Sequence, residues 1–444
     1  MLSDKFAQGI FELTEFVRQE HISQILEELK NNQIMSESQI HKLRMVKLRR
    51  LLRHASTYSP YYKQKLNGIN LSQMQNFDDL GKIEPLTKEE LRRDVKLIAS
   101  KKTFSGTRKA KTSGSTGIPL VFPKDSIARA YHYAAMYRGH SWYGLKIGDR
   151  EARLWGVPVD RKTRMKIKVK DYFLNRFREK EYNLKRHILD DFYRKLNKFR
   201  PKYIMGYGKM LYEFGLYLKE RNIDLRHLKL KMVKYTSENM RAEEKAIVEA
   251  VCCCPVVSEY GAAETGIISF QCPSGNHHIM SDCVLVEYLN IKGQNHGLKE
   301  VLITDLNNLS FPIIRYKLGD CVIPTKEKCK CGLPFPLLGE ISGRYSEVFV
   351  IDGRRFHSIV FYYIMKGLTD KNKALLQFRV VQKSPVIFCY QLACSPQERD
   401  VEEYLVNKTK QELGRDVEVQ IDYFKNLPRE TSGKLRDFIP FNQE

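Results

Sequence analysis

Lys111-Thr112-Ser113-Gly114-Ser115-Thr116-Gly117-Ile118-Pro119 is the stretch whose residue types most plainly suit chemistry. From Thr112 to Gly117 every residue bears a hydroxyl or is glycine. Such a backbone turns tightly, points N–H groups inward and sets hydroxyls beside them, a concavity suited to phosphate oxygens. No Lys-Ser/Thr pair follows the second glycine at the spacing of a Walker loop, so a neutralising cation must come from elsewhere. Thr431-Ser432-Gly433-Lys434 offers one on a distant loop, where a lysine can deliver charge to a developing transition state. Alone, the first loop also reads as a flexible linker and Lys434 as an ordinary exposed lysine.

Two further stretches carry acids beside aromatic rings and glycines. In Ser258-Glu259-Tyr260-Gly261-Ala262-Ala263-Glu264-Thr265-Gly266, Tyr260 and Gly261 can lay a ring edge and open backbone against a flat ligand. Glu264 can hold a divalent cation, although an acid after a strand is commonly a helix cap. Arg315-Tyr316-Lys317-Leu318-Gly319-Asp320 reads as the end of another strand, where Asp320 can accept two hydrogen bonds from a ribose diol or simply close a turn. A third group is metal-like. Cys329 and Cys331 stand at knuckle spacing, and Cys272 with His278 completes a tetrahedral three-thiol, one-imidazole set.

These residues need a scaffold. Apolar residues at helical spacing predict helices over 6–30 and 42–66, interrupted at Ser59-Pro60 and Glu84-Pro85. From Lys111 to about Ile341, short strands (120–122, 204–208, 231–235, 255–257) alternate with helices such as 210–221, which favours a largely parallel sheet. The motifs would then fall at the carboxyl ends of its strands, where such sheets collect ligands. The last hundred residues predict a hairpin around Asp352-Gly353, strands at 376–381, 386–393 and 417–423, and a helix over 396–412. The expected fold class is α/β, with a large multi-sheet N-terminal domain, a helical N-terminal extension and a small mobile α+β C-terminal domain. The expected divisions are 1–100, 101–341 and 342–444.

At 444 residues with 42% apolar composition, the chain can bury a sizeable core, which argues against disorder. No apolar run is long enough to span a bilayer and the first residues lack a secretion signal, so the expected location is the cytoplasm. Ten cysteines there should be thiols, metal ligands or core filler, the last being the expectation for Cys252, Cys253 and Cys254. The net charge of +23 suits polyanions, an anionic membrane surface or phosphorylated substrates. It is densest from Arg161 to Arg200, read as the solvated side of amphipathic helices with Tyr172, Phe173, Phe177, Tyr182 and Tyr193 turned inward.

In order and spacing, the serine-rich loop, the Glu264 and Asp320 motifs and the Gly433-Lys434 turn resemble the adenylate-forming superfamily of acyl-CoA ligases. Within it the chain looks like the branch of phenylacetate–CoA ligases and CapK-like proteins, whose N-terminal signature Leu51-Leu52-Arg53-His54-Ala55-Ser56-Thr57-Tyr58-Ser59-Pro60-Tyr61-Tyr62 resembles. The resemblance implies that Ser113, Gly114, Ser115, Thr116 and Gly117 hold the ATP phosphates and that Glu264 binds Mg²⁺. It places Tyr260 and Gly261 near adenine, Asp320 on the ribose, Arg344 on the nucleotide near the domain hinge and Lys434 on the carboxylate and α-phosphate. It also implies a structural Zn²⁺ on Cys272, His278, Cys329 and Cys331, with His278 preferred to His277. Tyr345-Ser346-Glu347 departs from the pattern, which has an aspartate pivot after Gly343-Arg344.

The implied activity is formation of an acyl-adenylate from a carboxylic acid and ATP, then acyl transfer to CoA. A variant transfers to a sugar amine in capsule or surface polysaccharide assembly. Trp155-Gly156 and Tyr207-Gly208 are candidates to line the acid pocket. The expected partners are a small acid and an acceptor thiol or amine, with a second copy of the chain or a membrane surface as further candidates and no nucleic acid. A basic, zinc-containing nucleic-acid-binding protein is the reading of another class. It accounts for the charge but leaves Lys434 and the serine-rich loop without a role.

Overall fold

Ser3 caps the first helix, α1 (Asp4–Arg18), by accepting from the Phe6 N–H. The expected single helix over 6–30 is in fact two. Gln19 (φ 54°) and His21 (φ 45°) adopt left-handed backbone, and α2 (Ile22–Asn31) starts anew at an angle set by that turn. Neither residue is a glycine or proline, so nothing in the sequence punctuates the break. A capping box between Ser36 and Gln39 opens α3 (Glu37–Tyr58), and Pro60 at the first position opens α4 (Pro60–Lys65). Short helices α5 (Lys88–Arg93) and α6 (Val95–Ile98) complete this layer, which packs Leu48, Leu51, Tyr62 and Leu86 against Phe311, Ile313 and Ile314.

The computed structural model describes residues 3–112, 120–155, 161–179, 184–291, 297–344 and 348–441, the last span interrupted at 353, 359, 362–363, 366–367, 369–376, 394–398, 425–426 and 428–436. Ser113, Gly114, Ser115, Thr116, Gly117 and Lys434 therefore lie outside the described residues, as do Gly156, Tyr182 and 345–347. Strands β1 (Arg108–Lys111) and β2 (Val121–Lys124) pair antiparallel and flank the serine-rich segment. Thr112 closes its base, donating from its N–H to Leu120 O and accepting the Leu120 N–H on Oγ1, each at 3.0 Å.

After α7 (Ser126–Ser141), the chain builds β3 (Glu151–Leu154), α8 (Arg161–Phe173), β4 (Arg176–Glu179), α9 (Arg186–Phe199), β5 (Tyr203–Tyr207), α10 (Gly208–Glu220), β6 (Met232–Thr236), α11 (Ala242–Cys252) and β7 (Val256–Ala262). With β8 (Gly266–Gln271) and β9 (His277–Ile279), these strands form one sheet in the order 4-3-5-6-7-8-9. The first five are parallel, as the alternation predicts. Every residue of β5 is buried, as befits a strand covered on both faces. One face meets α9, α10 and α11 through Phe192, Phe214 and Val248, and the other meets α2 and α7.

Beyond residue 280 the parallel pattern ends. β10 (Val284–Asn290), β11 (Lys299–Asp305), β12 (Tyr316–Ile323) and β13 (Glu340–Arg344) form a separate antiparallel sheet, because loops rather than crossover helices join them. The N-terminal layer is tied to this junction by a buried pair, Arg138 gripping Asp282 through two nitrogens at 2.7 and 2.8 Å. Asn32 adds a hydrogen bond at 2.8 Å to the same carboxylate.

The C-terminal region has its own core. Hairpin β14 (Val348–Ile351) and β15 (Arg354–His357) packs with a sheet of β16 (Gln377–Gln382), β17 (Ile387–Ala393), β18 (Glu418–Tyr423) and β19 (Phe438–Ile439), with α12 (Arg399–Leu413) alongside. Phe349, Phe361, Phe388 and Phe438 stack at its centre.

Candidate functional site

Tyr260 and Asp320 come from different sheets and meet. The Tyr260 hydroxyl donates to Asp320 Oδ2 at 2.9 Å. Asp320 does not end its strand as the sequence suggests; it lies inside β12. There Lys317 pairs with Leu302 and Cys321 with Glu300, so three β12 residues oppose a single residue of β11. This irregularity contains Gly319 at φ +81° and re-aims the aspartate. In the next strand Asp320 is the register partner of Arg344, so the expected ribose acid and the arginine expected to contact the nucleotide are backbone neighbours.

Tyr260 likewise sits inside its strand, with β7 running on to Ala262. Glu264 occupies the tight turn between β7 and β8, where a helix start was one reading. Gly261 is required by packing, since a Cβ there would lie 2.4 Å from the Gly266 carbonyl oxygen. Its glycine identity therefore serves the hairpin whatever ligand approaches.

Glu264 is buried and faces a cation that sequence reasoning overlooked. Lys124, buried at the end of β2, donates to Ala263 O at 3.3 Å and lies in the field of Asp305, Glu264 and Asp125. Burial lowers its ammonium pKa while those carboxylates oppose the shift. Burial also pushes the Asp305 carboxyl up to about 6, against the pull of Lys124. The available signal was a lysine in the strand that leaves the serine-rich loop. Thr265 Oγ1, one residue from Glu264, is buried without a hydrogen-bond partner among the described residues, and an added oxygen ligand at this turn would satisfy it. Ser237, just past β6, adopts φ +69°, the kind of backbone strain that clusters at binding sites.

Trp155, just past β3, and Tyr207, the last residue of the adjacent parallel β5, stack with ring centroids 4.5 Å apart and 26° between planes. They form one aromatic wall at the carboxyl end of the sheet. The C-terminal region reaches this same end. Arg241, ahead of α11, lies over the Phe378 ring at 5.9 Å. Asp437, three residues beyond Lys434, is within electrostatic reach of Lys209, Glu244 and Arg241.

Cys272, His278, Cys329 and Cys331 converge, their ligand atoms all within 4.8 Å of one another. Cys331 Sγ is 3.1 Å from His278 Nε2, and Cys272 Sγ is 3.6 Å from Cys329 Sγ. His278 Nδ1 bonds Phe335 O at 2.8 Å, a contact that assigns the ring proton to Nδ1 and leaves the Nε2 lone pair facing the sulfurs. His277 is directed elsewhere, to the Ser269 hydroxyl at 3.0 Å. Burial opposes ionisation of Cys329, but hydrogen bonds from the Cys331 N–H and Asn276 help bring its thiol down to about 6. Burial and the neighbouring sulfurs push Cys331 up to about 12. Three sulfurs this close cannot all ionise unless a cation sits among them.

Two sequence expectations need correction or limit. Tyr172 and Phe173 are exposed, so α8 does not turn its aromatics inward, whereas Phe177 and Tyr193 pack against the core. Cys252 is buried, as expected of filler, but Cys253 is exposed where α11 ends in a left-handed cap. Among the described residues no helix is long and apolar enough to cross a membrane.

No protein-family model matches the chain. Protein CapK of Staphylococcus aureus is 22% identical to it over 311 residues, which cover 69% of this chain and 68% of CapK. 2-Hydroxyisobutyryl-CoA ligase, solved in the postadenylation state with an acyl-AMP, superposes with a TM-score of 0.69 at 17% identity, covering 93% of this chain and 92% of the ligase. The amide bond synthetase McbA of Marinactinospora thermotolerans superposes with a TM-score of 0.51 at 15% identity, covering 73% and 67%. The chain has the fold of the adenylate-forming ligases.

Proposed function

We propose, starting from that fold, that the protein is an ATP-dependent ligase that activates a carboxylic acid as its acyl-adenylate. The observation that carries this reading is the Tyr260–Asp320 contact, which joins two separate motifs where a nucleoside would lie. In the reaction a carboxylate oxygen of the acid attacks the α-phosphorus of ATP and pyrophosphate leaves. The carboxylate is already a nucleophile, so positioning and charge neutralisation supply the catalysis.

Asp320 holds the ribose hydroxyls, Tyr260 and Gly261 border the adenine, and Ser113, Gly114, Ser115, Thr116 and Gly117 wrap the phosphates. Trp155 and Tyr207 wall the acid. Lys434 meets the carboxylate and α-phosphate oxygens. Arg344 contacts the nucleotide near the hinge, and the region from 342 onward, with its separate core, swings for the second step. Glu264 would hold Mg²⁺, and the buried, unsatisfied Thr265 hydroxyl beside it suits an oxygen-coordinated ion. That ion supplies neutralisation of phosphate charge when bound. Cys272, His278, Cys329 and Cys331 would hold Zn²⁺ in a closed, structural site.

The acceptor in the leading reading is CoA, supported by likeness to 2-hydroxyisobutyryl-CoA ligase. A second reading, an amine such as an amino sugar of a surface polysaccharide, draws support from the amide bond synthetase McbA. Pyrophosphate exchange into ATP across a panel of acids tests the first step for both. At least one acid should support exchange, and Lys434→Ala should lose it by about 10²-fold or more, the scale of one preorganised charge contact. Equal exchange by the variant with a good acid removes Lys434 from its assigned role. Polynucleotide binding without exchange would favour the basic-binder reading.

A further inference from the structure

The exposed apolar side chains of this protein are not scattered. Among the described residues, large hydrophobics with substantial exposure number seventeen, and eight of them lie on α1 and α8: Phe6, Leu13, Phe16, Val17, Met165, Val169, Tyr172 and Phe173. On α1 these residues recur at seven, three and four positions along one stripe, opposite the buried face of Ala7 and Phe11. Phe16 is 81% exposed and Val17 73%. On α8 the spacing Met165, Val169, Tyr172, Phe173 likewise traces one stripe facing solvent, while Asp171 on the opposite side is buried and gripped by Arg178 at 2.6 and 2.7 Å. Both helices are thus apolar on a side that no described residue covers.

The two helices that carry the stripes are neighbours. The helices touch, Asn175 beyond α8 reaches Asp4 at 3.3 Å, and Arg18 at the end of α1 lies within electrostatic reach of Lys170. Charge then selects the occupant. The sequence of α8 holds six lysines and arginines against the single, internally paired Asp171. Exposed Lys168 flanks its apolar stripe on one side and exposed Lys166 and Lys170 on the other. A second copy of the chain docked here would bring lysines against lysines in a protein of net charge +23. An anionic bilayer instead accepts the apolar rings between its headgroups and neutralises the flanking ammonium groups.

We propose that the paired faces of α1 and α8 form a docking surface for an anionic lipid bilayer. The protein lies on the membrane without crossing it, held by shallow insertion of Phe16, Val17, Tyr172 and their neighbours and by lysine contacts to lipid phosphates. This accounts for two features the ligase chemistry leaves unused: aromatics turned outward on a helix and a cationic excess concentrated beside them.

Sedimentation of the whole protein with vesicles tests the surface. Vesicles of phosphatidylcholine with phosphatidylglycerol should carry the protein down, phosphatidylcholine alone should not, and high salt should weaken the attachment. Replacing Lys166 and Lys170 with glutamate should reduce the partition coefficient at least about tenfold, given the usual gain per lysine near such a surface. The pair Phe16→Ser and Tyr172→Ser should reduce it comparably through lost insertion. Thermal melting and vesicle-free pyrophosphate exchange of these variants should match the wild type. Failure to bind anionic vesicles, equal binding to neutral ones, or variants that bind like wild type would each overturn the proposal. So would a dimer in solution that the serine pair splits, which would assign the face to a second copy.

Discussion

The junction between the parallel sheet and the antiparallel one is fastened at two places that differ in kind. At one, Tyr260 and Asp320, sixty residues apart, share a hydrogen bond beside the buried Glu264 and Lys124. At the other, Cys272 and His278 meet Cys329 and Cys331 within 4.8 Å. The first place leaves polar capacity unused: the Thr265 hydroxyl has no partner among the described residues, and one carboxylate in the neighbourhood is pushed toward neutrality by burial. The second spends all four donors on one point and fixes its imidazole from behind through Phe335. The comparison teaches that one sheet junction can gather four donor atoms at one point while leaving polar capacity unused at another. Disruption of the two should be separable, the first place failing in catalysis and the second in stability.

The widest separation is expected from Glu264→Gln, which keeps the side chain's size and removes its charge. Exchange activity should fall on the order of 10³-fold as ion binding weakens, with little change in melting temperature. Loss of stability without loss of exchange would place Glu264 on the structural side. Asp320→Ala comes next. Two hydrogen bonds to a charged group at about 1.5 kcal/mol each predict about 10²-fold in kcat/KM for ATP, read by steady-state kinetics. An unchanged KM for ATP would contradict the ribose assignment.

Cys331→Ser should act on the other axis. Elemental analysis should find one zinc per chain in the wild type and a much smaller content in the variant, which should melt several degrees lower. Exchange measured well below that melting temperature should fall less than about threefold, because four protein ligands leave no position for substrate. A metal-free wild type would remove zinc from the account. The smallest effect belongs to Tyr260→Phe: one neutral donor to a carboxylate, on the order of fivefold in kcat/KM for ATP, with its ring still in place.

Much of this arrangement is legible from the sequence where local chemistry decides structure. The hairpin about Asp352-Gly353 appears as β14 and β15, and the alternation of apolar strands with helices gives the parallel half of the central sheet. Pro60 marks the start of α4, as a proline at the first helical position should. The Cys and His spacing offers the residues that converge, and the family resemblance selects His278 over His277. What escapes is set by tertiary contact. Asp320 reads as a strand end because Gly319 precedes it, yet an irregularity in pairing with β11 keeps it mid-strand. Lys124 looks like a surface lysine until Glu264 and Asp305 close around it. Tyr172 and Phe173 suggest an inward face by type alone, but periodicity cannot say which side of α8 meets the core.

The central claim is that the acid's own oxygen displaces pyrophosphate from ATP, and one isotope measurement addresses it. The protein should be turned over with ATP, an acid labelled with ¹⁸O in both carboxylate positions, and hydroxylamine as a general acceptor, and the AMP product examined by mass spectrometry. Attack of the carboxylate on the α-phosphorus predicts one ¹⁸O atom in each AMP, with pyrophosphate unlabelled. AMP without label, or label found instead in phosphate or pyrophosphate, would contradict the adenylating reading of this protein.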